Sequence, residues 1–267
     1  MPHDPKWSAH LDTALNCHDT EKVIKLCESH QPPLKKGEIG KISERICTTW
    51  GHDSSQTSKL LSALLERGTE IALKLYCELV WRSTTTSPPQ ALFSLMNLAE
   101  HDDWQVREYV ASSAGELFDR HFEELSDYIS HFAEAGTPRI KRAVALAVKK
   151  AGKSRDSTRV DFLLNVVSKL LDEDDPYVME NLGPFAIGDG LLRYYTDETI
   201  EALNRWSKSK NPIVRWNVAM ALTTASARWR AALVKPILER LASDPDERVR
   251  KAVAKAKRNL MHQEKTA

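Results

Sequence analysis

Apolar residues recur along the chain with helical spacing, and one pattern of five positions repeats. It is Asp103-Trp-Gln-Val106-Arg107, Thr137-Pro-Arg-Ile140-Lys141, Asp175-Pro-Tyr-Val178-Met179, Asn211-Pro-Ile-Val214-Arg215 and Asp246-Glu-Arg-Val249-Arg250. The β-branched anchors lie 34, 38, 36 and 35 residues apart. Each is followed at plus four by an apolar residue (Val110, Val144, Leu182, Val218, Val253) and then by a small one (Ala111, Ala145, Gly183, Ala219, Ala254). The residue three before each anchor is Asp, Thr or Asn, whose side chain accepts from the free N–H groups of a helix start. Pro138, Pro176 and Pro212 follow the cap directly, where a missing N–H does no harm. The pattern predicts helices starting near residues 104, 138, 176, 212 and 247. Amphipathic runs between them, Pro89–Ala99, Phe122–Ala135, Thr158–Leu171, Thr196–Lys208 and Trp229–Leu241, read as partner helices.

Helix pairs repeating about every 35 residues stack into a superhelix, because a single pair cannot bury its apolar faces alone. The expected fold class is therefore all-α, an α-solenoid of HEAT-like two-helix repeats forming a single domain over 1–267. Its regular repeats span about 60–260, and divergent N-terminal helices occupy 1–55. Stepping back 35 residues from Val106 reaches Ile71 with Leu75, preceded by Gly68. Two further helix pairs fit residues 7–82, and the Ser/Thr/Pro stretch Ser83–Pro89 reads as a loop. One segment breaks helical rules. Asn181-Leu-Gly-Pro184-Phe-Ala-Ile-Gly-Asp-Gly190 lies where a helix is required. An interior proline costs about 3 kcal/mol there, and each glycine about 1. Either function requires the violation, or the glycines admit a neighbouring helix.

Composition narrows the function classes. With 42% apolar and 28% charged residues, the 267-residue chain can bury a continuous core. Its net charge of +1 leaves phosphate recognition to local patches. No apolar run approaches the ~20 residues needed to span a bilayer, and the polar start is unlike a signal peptide. The widely spaced Cys17, Cys27, Cys47 and Cys77 read as reduced, buried thiols of a cytoplasmic protein, with no metal and no cofactor expected. His-Asp pairs at His3, His18, His52 and His101 lack the partner spacing of a metal phosphohydrolase.

A candidate interface is visible in the polar positions. A helix turns about 100° per residue, so Val106 and Val110 face the core while Trp104, Arg107, Glu108 and Ala111 share another face. The residues two after each anchor, Glu108, Arg142, Glu180, Trp216 and Lys251, form a column through the stack. Arg139–Arg155 holds seven Lys or Arg and no acid. Trp and Arg adjoin at Trp81-Arg82, Arg205-Trp206, Arg215-Trp216 and Arg228-Trp229-Arg230. Interleaved bases and aromatics suit nucleic acid. The structural alternative pairs Arg107, Lys141, Arg215 and Arg250 with capping acids along the stack, packs the Trp residues between repeats, and pairs Glu108 with Arg142.

On these residues the sequence resembles the DNA alkylation repair family of HEAT-like-repeat DNA glycosylases over roughly 60–260. Asp103-Trp104-Gln-Val-Arg-Glu108 is similar to that family's W-x-x-x-D motif, and Ile140-Lys141-Arg142-Ala143 to its R-R-x-A run. Glu180-Asn-Leu-Gly183-Pro184-Phe185-Ala186 looks like its A-I-G-W-A segment. Glu108 stands where the family has Asp, and Pro184 where it has a second Trp. The resemblance implies a monomer binding duplex DNA and excising cationic alkylated purines. Glu108 and Trp104 would be catalytic, and Arg142, Arg139, Lys141, Lys149, Phe185, Arg215, Trp216 and Lys251 would contact DNA. A carboxylate beside the sugar would stabilise the oxocarbenium-like charge left by base loss, and a Trp face would hold the cationic base. The alternative is a non-catalytic scaffold that grips a protein partner.

Overall fold

In the computed structural model, residues 5–264 are described, and they are helical throughout apart from short connections. Helices begin at Trp104, Pro138, Pro176, Pro212 and Glu247, as the caps predict. All five caps form. Asp103 accepts from the Val106 N–H at 2.8 Å, Thr137 from Ile140 at 3.3 Å and Asp175 from Tyr177 at 2.8 Å. Asn211 accepts from Ile213 at 2.9 Å and Asp246 from Arg248 at 2.7 Å. Val106, Val178, Val214 and Val249 are buried, as are all five apolar residues at plus four. Ile140 is only half-buried, and Ala254 is exposed.

The chain divides into two compact units, Met1–Leu117 and Phe118–Ala267. The first contains Pro5–Asn16, Thr20–Glu28, Lys36–Trp50, Ser55–Arg67, Glu70–Val80 and Pro88–Leu98, followed by the start of Trp104–Arg120. Five helices, not two pairs, therefore precede the Ser83–Ser87 loop. The Lys36–Trp50 and Ser55–Arg67 helices both pack on Glu70–Val80. Gly68 ends Ser55–Arg67 in the left-handed conformation (φ 65°). Cys27, Cys47 and Cys77 are buried, but Cys17 is exposed just after the first helix, correcting the expectation of four buried thiols.

In the second unit Phe122–Ala135 pairs with Pro138–Ala151, and Val160–Leu170 follows. The rule-breaking segment is helical but not α. Leu182–Leu191 is a π-helix continuing from Pro176–Asn181. Its i→i+5 register sets positions five apart on one side. Gly183 and Gly188 both lie against the Pro212–Ala221 helix and the residues just after it. A Cβ on Gly183 would lie 2.8 Å from the Asn217 carbonyl oxygen. One on Gly188 would lie 2.6 Å from that of Ala221 and 2.5 Å from Thr224 Cγ2. Of the two explanations for the glycines, admission of a neighbouring helix is the one observed. The segment is completed by Thr196–Trp206, Ala225–Arg228, Ala231–Leu241 and Glu247–Glu264. No described helix is long and apolar enough to cross a membrane.

Candidate nucleic-acid interface

Most of the cations following the anchors are held within the structure. Arg107 Nη1 donates to the carbonyls of His101 and Asp102, both at 2.7 Å. Arg215 Nη1 does the same to Ser209 (2.8 Å) and Lys210 (3.0 Å), and Arg250 Nη1 to Asp244 (2.6 Å) and Pro245 (2.9 Å). In each case the guanidinium ties the connection five and six residues upstream onto its own helix. Arg215 also makes a two-pronged pair with Asp244, Nε–Oδ2 2.6 Å and Nη2–Oδ1 2.9 Å. That contact holds the Asp244 carboxyl below its usual range and raises the Arg215 value. Lys141 reaches Glu173 at 2.5 Å in the next connection. Arg215 and Lys141 thus have structural partners, but these are Asp244 and Glu173, not the capping acids that the pairing alternative names.

The predicted column is not uniformly a surface. Arg142 is buried at 6% exposure, its guanidinium 4.7 Å over the Tyr177 ring. It therefore departs from the expectation of an exposed DNA contact. Glu180 and Lys251 are exposed, Glu108 and Trp216 half-buried. Lys251 pairs with Glu247 at 2.8 Å in the first turn of its helix. Lys255 and Arg258 continue one exposed face of that helix. Arg139 is half-buried. Of the Trp–Arg neighbours, Trp206 is core, Arg82 stacks on Trp81 at 4.0 Å, and Trp229 is 60% exposed.

Two assemblies remain, one in each unit. In the second unit Lys149 Nζ lies 4.9 Å over the Phe185 ring, which the π-helix presents to solvent at 42% exposure. Burial pushes the Lys149 pKa down. Asp189 opposes that shift, and Lys153 and Arg193 add to it. Nearby, Arg155 and Arg193 each place their guanidinium 5.5 Å from the ring of Tyr194. Arg155 adopts a left-handed backbone (φ 57°) after the turn Gly152–Ser154, and both arginines are exposed. Tyr194, Arg193 and Tyr177 were not among the expected site residues. The Arg193-Tyr194 dipeptide is the same base-next-to-aromatic signal as the Trp–Arg pairs, carried by Tyr.

In the first unit Trp104 is 61% exposed at the first position of its helix. Glu108 and Tyr109 follow one turn later. The three line a cleft of about 440 Å³ with Lys35, Lys36 and Lys74. Lys36 Nζ sits 5.4 Å over the Tyr109 ring. Burial, then the Glu78 carboxylate, push the Tyr109 phenol well above its usual pKa. Lys74 is 7% exposed, donating to Gln105 Oε1 at 2.8 Å and 3.5 Å from Glu70. None of the three lysines is among the expected site residues; Lys35 and Lys36 precede the regular repeats of 60–260, and Lys74 lies within them. Among the described residues no group of three or more His, Cys, Asp or Glu could hold a metal ion. His18, His52 and His101 sit in connections between helices, and His3 lies outside the described residues.

Residues 164–258 match the family model of HEAT repeats. Among solved structures, two engineered proteins are similar. One is 17% identical over 84% of this chain and 99% of its own, with a TM-score of 0.36. The other is 14% identical over 94% and 95%, at 0.34. A designed armadillo repeat protein is 15% identical over 94% of this chain and 98% of its own, at 0.37. No curated protein matches the chain. The family match and the capped helix pairs together place HEAT repeats within residues 164–258 of an all-α chain, and architecture of that kind leaves function to the site.

Proposed function

We propose that the protein binds duplex DNA, in the manner of the DNA alkylation repair family that its motifs resemble. The observation that carries this reading is the surface of the second unit where Lys149 overlies Phe185 and two exposed arginines flank Tyr194. Cations grip phosphates without regard to sequence, and exposed rings offer faces to unstacked bases. The exposed Lys255 and Arg258 add a further basic strip. The test is duplex affinity against salt. Each neutralised phosphate contributes a log–log slope of about −0.9. Replacing Arg155 and Arg193 together by Ala should flatten the slope by up to about two units. Salt-independent or undetectable binding at low ionic strength defeats the proposal and favours a protein-binding scaffold.

Base excision is a second, separable reading, favoured by the exposed Trp104 one turn from Glu108 in a cleft. There the indole face would hold a cationic purine, and the carboxylate would stabilise the charge developing on the sugar as the N-glycosidic bond breaks. Glu carries its carboxylate one methylene further than the family's Asp. A displacement of about 1 Å can lower the rate by about 100-fold. Release of free base from methylated duplex DNA under single-turnover conditions, lost in Glu108→Gln, is the supporting result. No release at any enzyme excess removes excision and leaves DNA binding in place.

A further inference from the structure

The cleft of the first unit has a feature that a cation site does not need. Three lysines line it against one carboxylate. Lys35 and Lys36 are exposed at the start of the helix Lys36–Trp50, where the Glu38 carboxylate already accepts from the Lys35 N–H. Lys74 stands nine-tenths buried in the helix Glu70–Val80. A buried ammonium is retained where an anion is to be met or where its partners neutralise it. Here the ammonium donates to the Gln105 amide oxygen at 2.8 Å and pairs with the mostly exposed Glu70 carboxylate at 3.5 Å, so an anionic ligand would share it with Glu70. The same lining carries the exposed Trp104 and the ring of Tyr109, over which Lys36 Nζ lies at 5.4 Å. The lining therefore suits a ligand with an aromatic end and an anionic end. The volume of about 440 Å³ falls within the roughly 300–1,000 Å³ of small-molecule sites.

We propose that this cleft binds a nucleoside 5′-phosphate, with the base on Trp104 and the phosphate among Lys35, Lys36 and Lys74. The assignment rests on the reading that Trp104 faces a base, and it supplies the phosphate half of that recognition. Glu108, half-buried on the wall, is placed to accept from a ribose hydroxyl, since a carboxylate has room for several donors. The same chemistry is met in a free nucleotide and in the 5′-phosphorylated end of a strand.

The experiment is calorimetric titration of the full chain with adenosine 5′-monophosphate, adenosine and inorganic phosphate, each alone. The monophosphate should saturate one site, and adenosine should bind about tenfold more weakly, as loss of a charge-assisted contact implies. Phosphate alone should give no saturable heat in the same range. Lys35→Ala/Lys36→Ala should bring the monophosphate down to the adenosine level with the thermal transition unchanged. Trp104→Ala should weaken both nucleosides. Equal affinity for monophosphate and adenosine, no saturable monophosphate binding, or an unchanged Lys35→Ala/Lys36→Ala variant overturns the proposal. In an Arg155→Ala/Arg193→Ala background, a 5′-phosphorylated single strand is compared with its 5′-hydroxyl form and with the monophosphate. A phosphorylated strand that binds more tightly than both assigns the strand end, and one that matches the monophosphate assigns the free nucleotide. Nucleotide binding without base release refutes excision alone, whereas base release without it refutes this site alone.

Discussion

Gly188→Ala gives the sharpest test of the packing described for the π-helix, because two effects of opposite sign meet there. Alanine in a helix interior is favoured over glycine by about 1 kcal/mol. At position 188, however, the added Cβ would lie 2.5 Å from Thr224 Cγ2 and 2.6 Å from the Ala221 carbonyl oxygen. A carbonyl of a packed helix cannot turn aside as a side-chain tip can, so the two helices must separate by several tenths of an ångström. Overpacking of that kind typically costs about 1–3 kcal/mol. The net expectation is destabilisation by up to about 2 kcal/mol, a fall of up to about 8 °C in Tm. The control is Gly40, in the helix Lys36–Trp50, where a Cβ would come no closer than 3.8 Å to Glu78 Oε2. Gly40→Ala should therefore gain up to about 1 kcal/mol. Urea unfolding followed by far-ultraviolet circular dichroism reads both. If Gly188→Ala is more stable than the wild type, gaining as Gly40→Ala does, the close approach is wrong, and with it the reason given for the glycines.

Arg215→Ala leaves Asp244, whose side chain is 4% exposed, without its guanidinium, and a broken buried pair of this kind costs about 3–5 kcal/mol. Because Asp244 has a lowered folded pKa, its contribution is complete above the unfolded carboxylate value of about 3.9 and fades as pH falls through the folded value. Acid titration of the wild type and of Asp244→Asn should therefore converge at low pH, and parallel curves would refute the linkage. Lys149 has a lowered pKa, so a bound phosphate gains most from it while it is protonated. Duplex affinity should decline as alkaline pH passes that pKa, and Lys149→Ala should remove this part of the decline. A thiol reagent should modify one cysteine of the native protein, Cys17. Burial, chiefly, raises the Cys27 thiol to about 12 and Cys77 beyond it. Mass mapping that finds Cys77 labelled before unfolding would contradict its burial.

The repeats were legible because each start carries three local signals at once: a cap, a proline or polar first turn, and an anchor with its plus-four partner. Those signals act within one helix, so they survive whatever the neighbouring repeat does. The N-terminal helices were not resolved into five because they lack that cassette. The cap of Lys36–Trp50 shows why. Its start is closed by Glu38 accepting from the Lys35 N–H at 2.8 Å, with no Asp, Asn, Ser or Thr at the cap position. The π-helix was visible only as a violation, since the register that resolves it depends on backbone atoms of another helix. Helical geometry puts Trp104 on a face away from the core, and it is exposed, whereas Ala111 of the same face is buried. Arg142 was misread as exposed. It shares the column of Glu108 and Trp216, yet Tyr177, thirty-five residues on, covers it.

The arginine after the anchor recurs at 107, 215 and 250 and looks like a ladder for phosphates. Each donates instead to two carbonyls of its own connection. Recurrence at repeat spacing is therefore a mark of structural use, since a groove ligand need not share the period of the protein. The cations offered to a partner stand outside the period. Arg155 and Arg193 lie at a helix end, Lys149 beside the π-helix, and Lys35 and Lys36 at a start with no repeat signature. A charge-swap comparison follows from this distinction. Arg107→Gln, Arg215→Gln and Arg250→Gln should lower Tm individually, because each removes two charge-assisted hydrogen bonds to carbonyls, at about 1.5–3 kcal/mol apiece at most, and Arg215→Gln removes its pair with Asp244 as well. They should leave the salt slope of DNA binding within error of the wild type. Arg155→Gln and Arg193→Gln should do the reverse. Periodic arginines that flatten the slope without changing Tm would show that the repeat itself, not its departures, reads the phosphates.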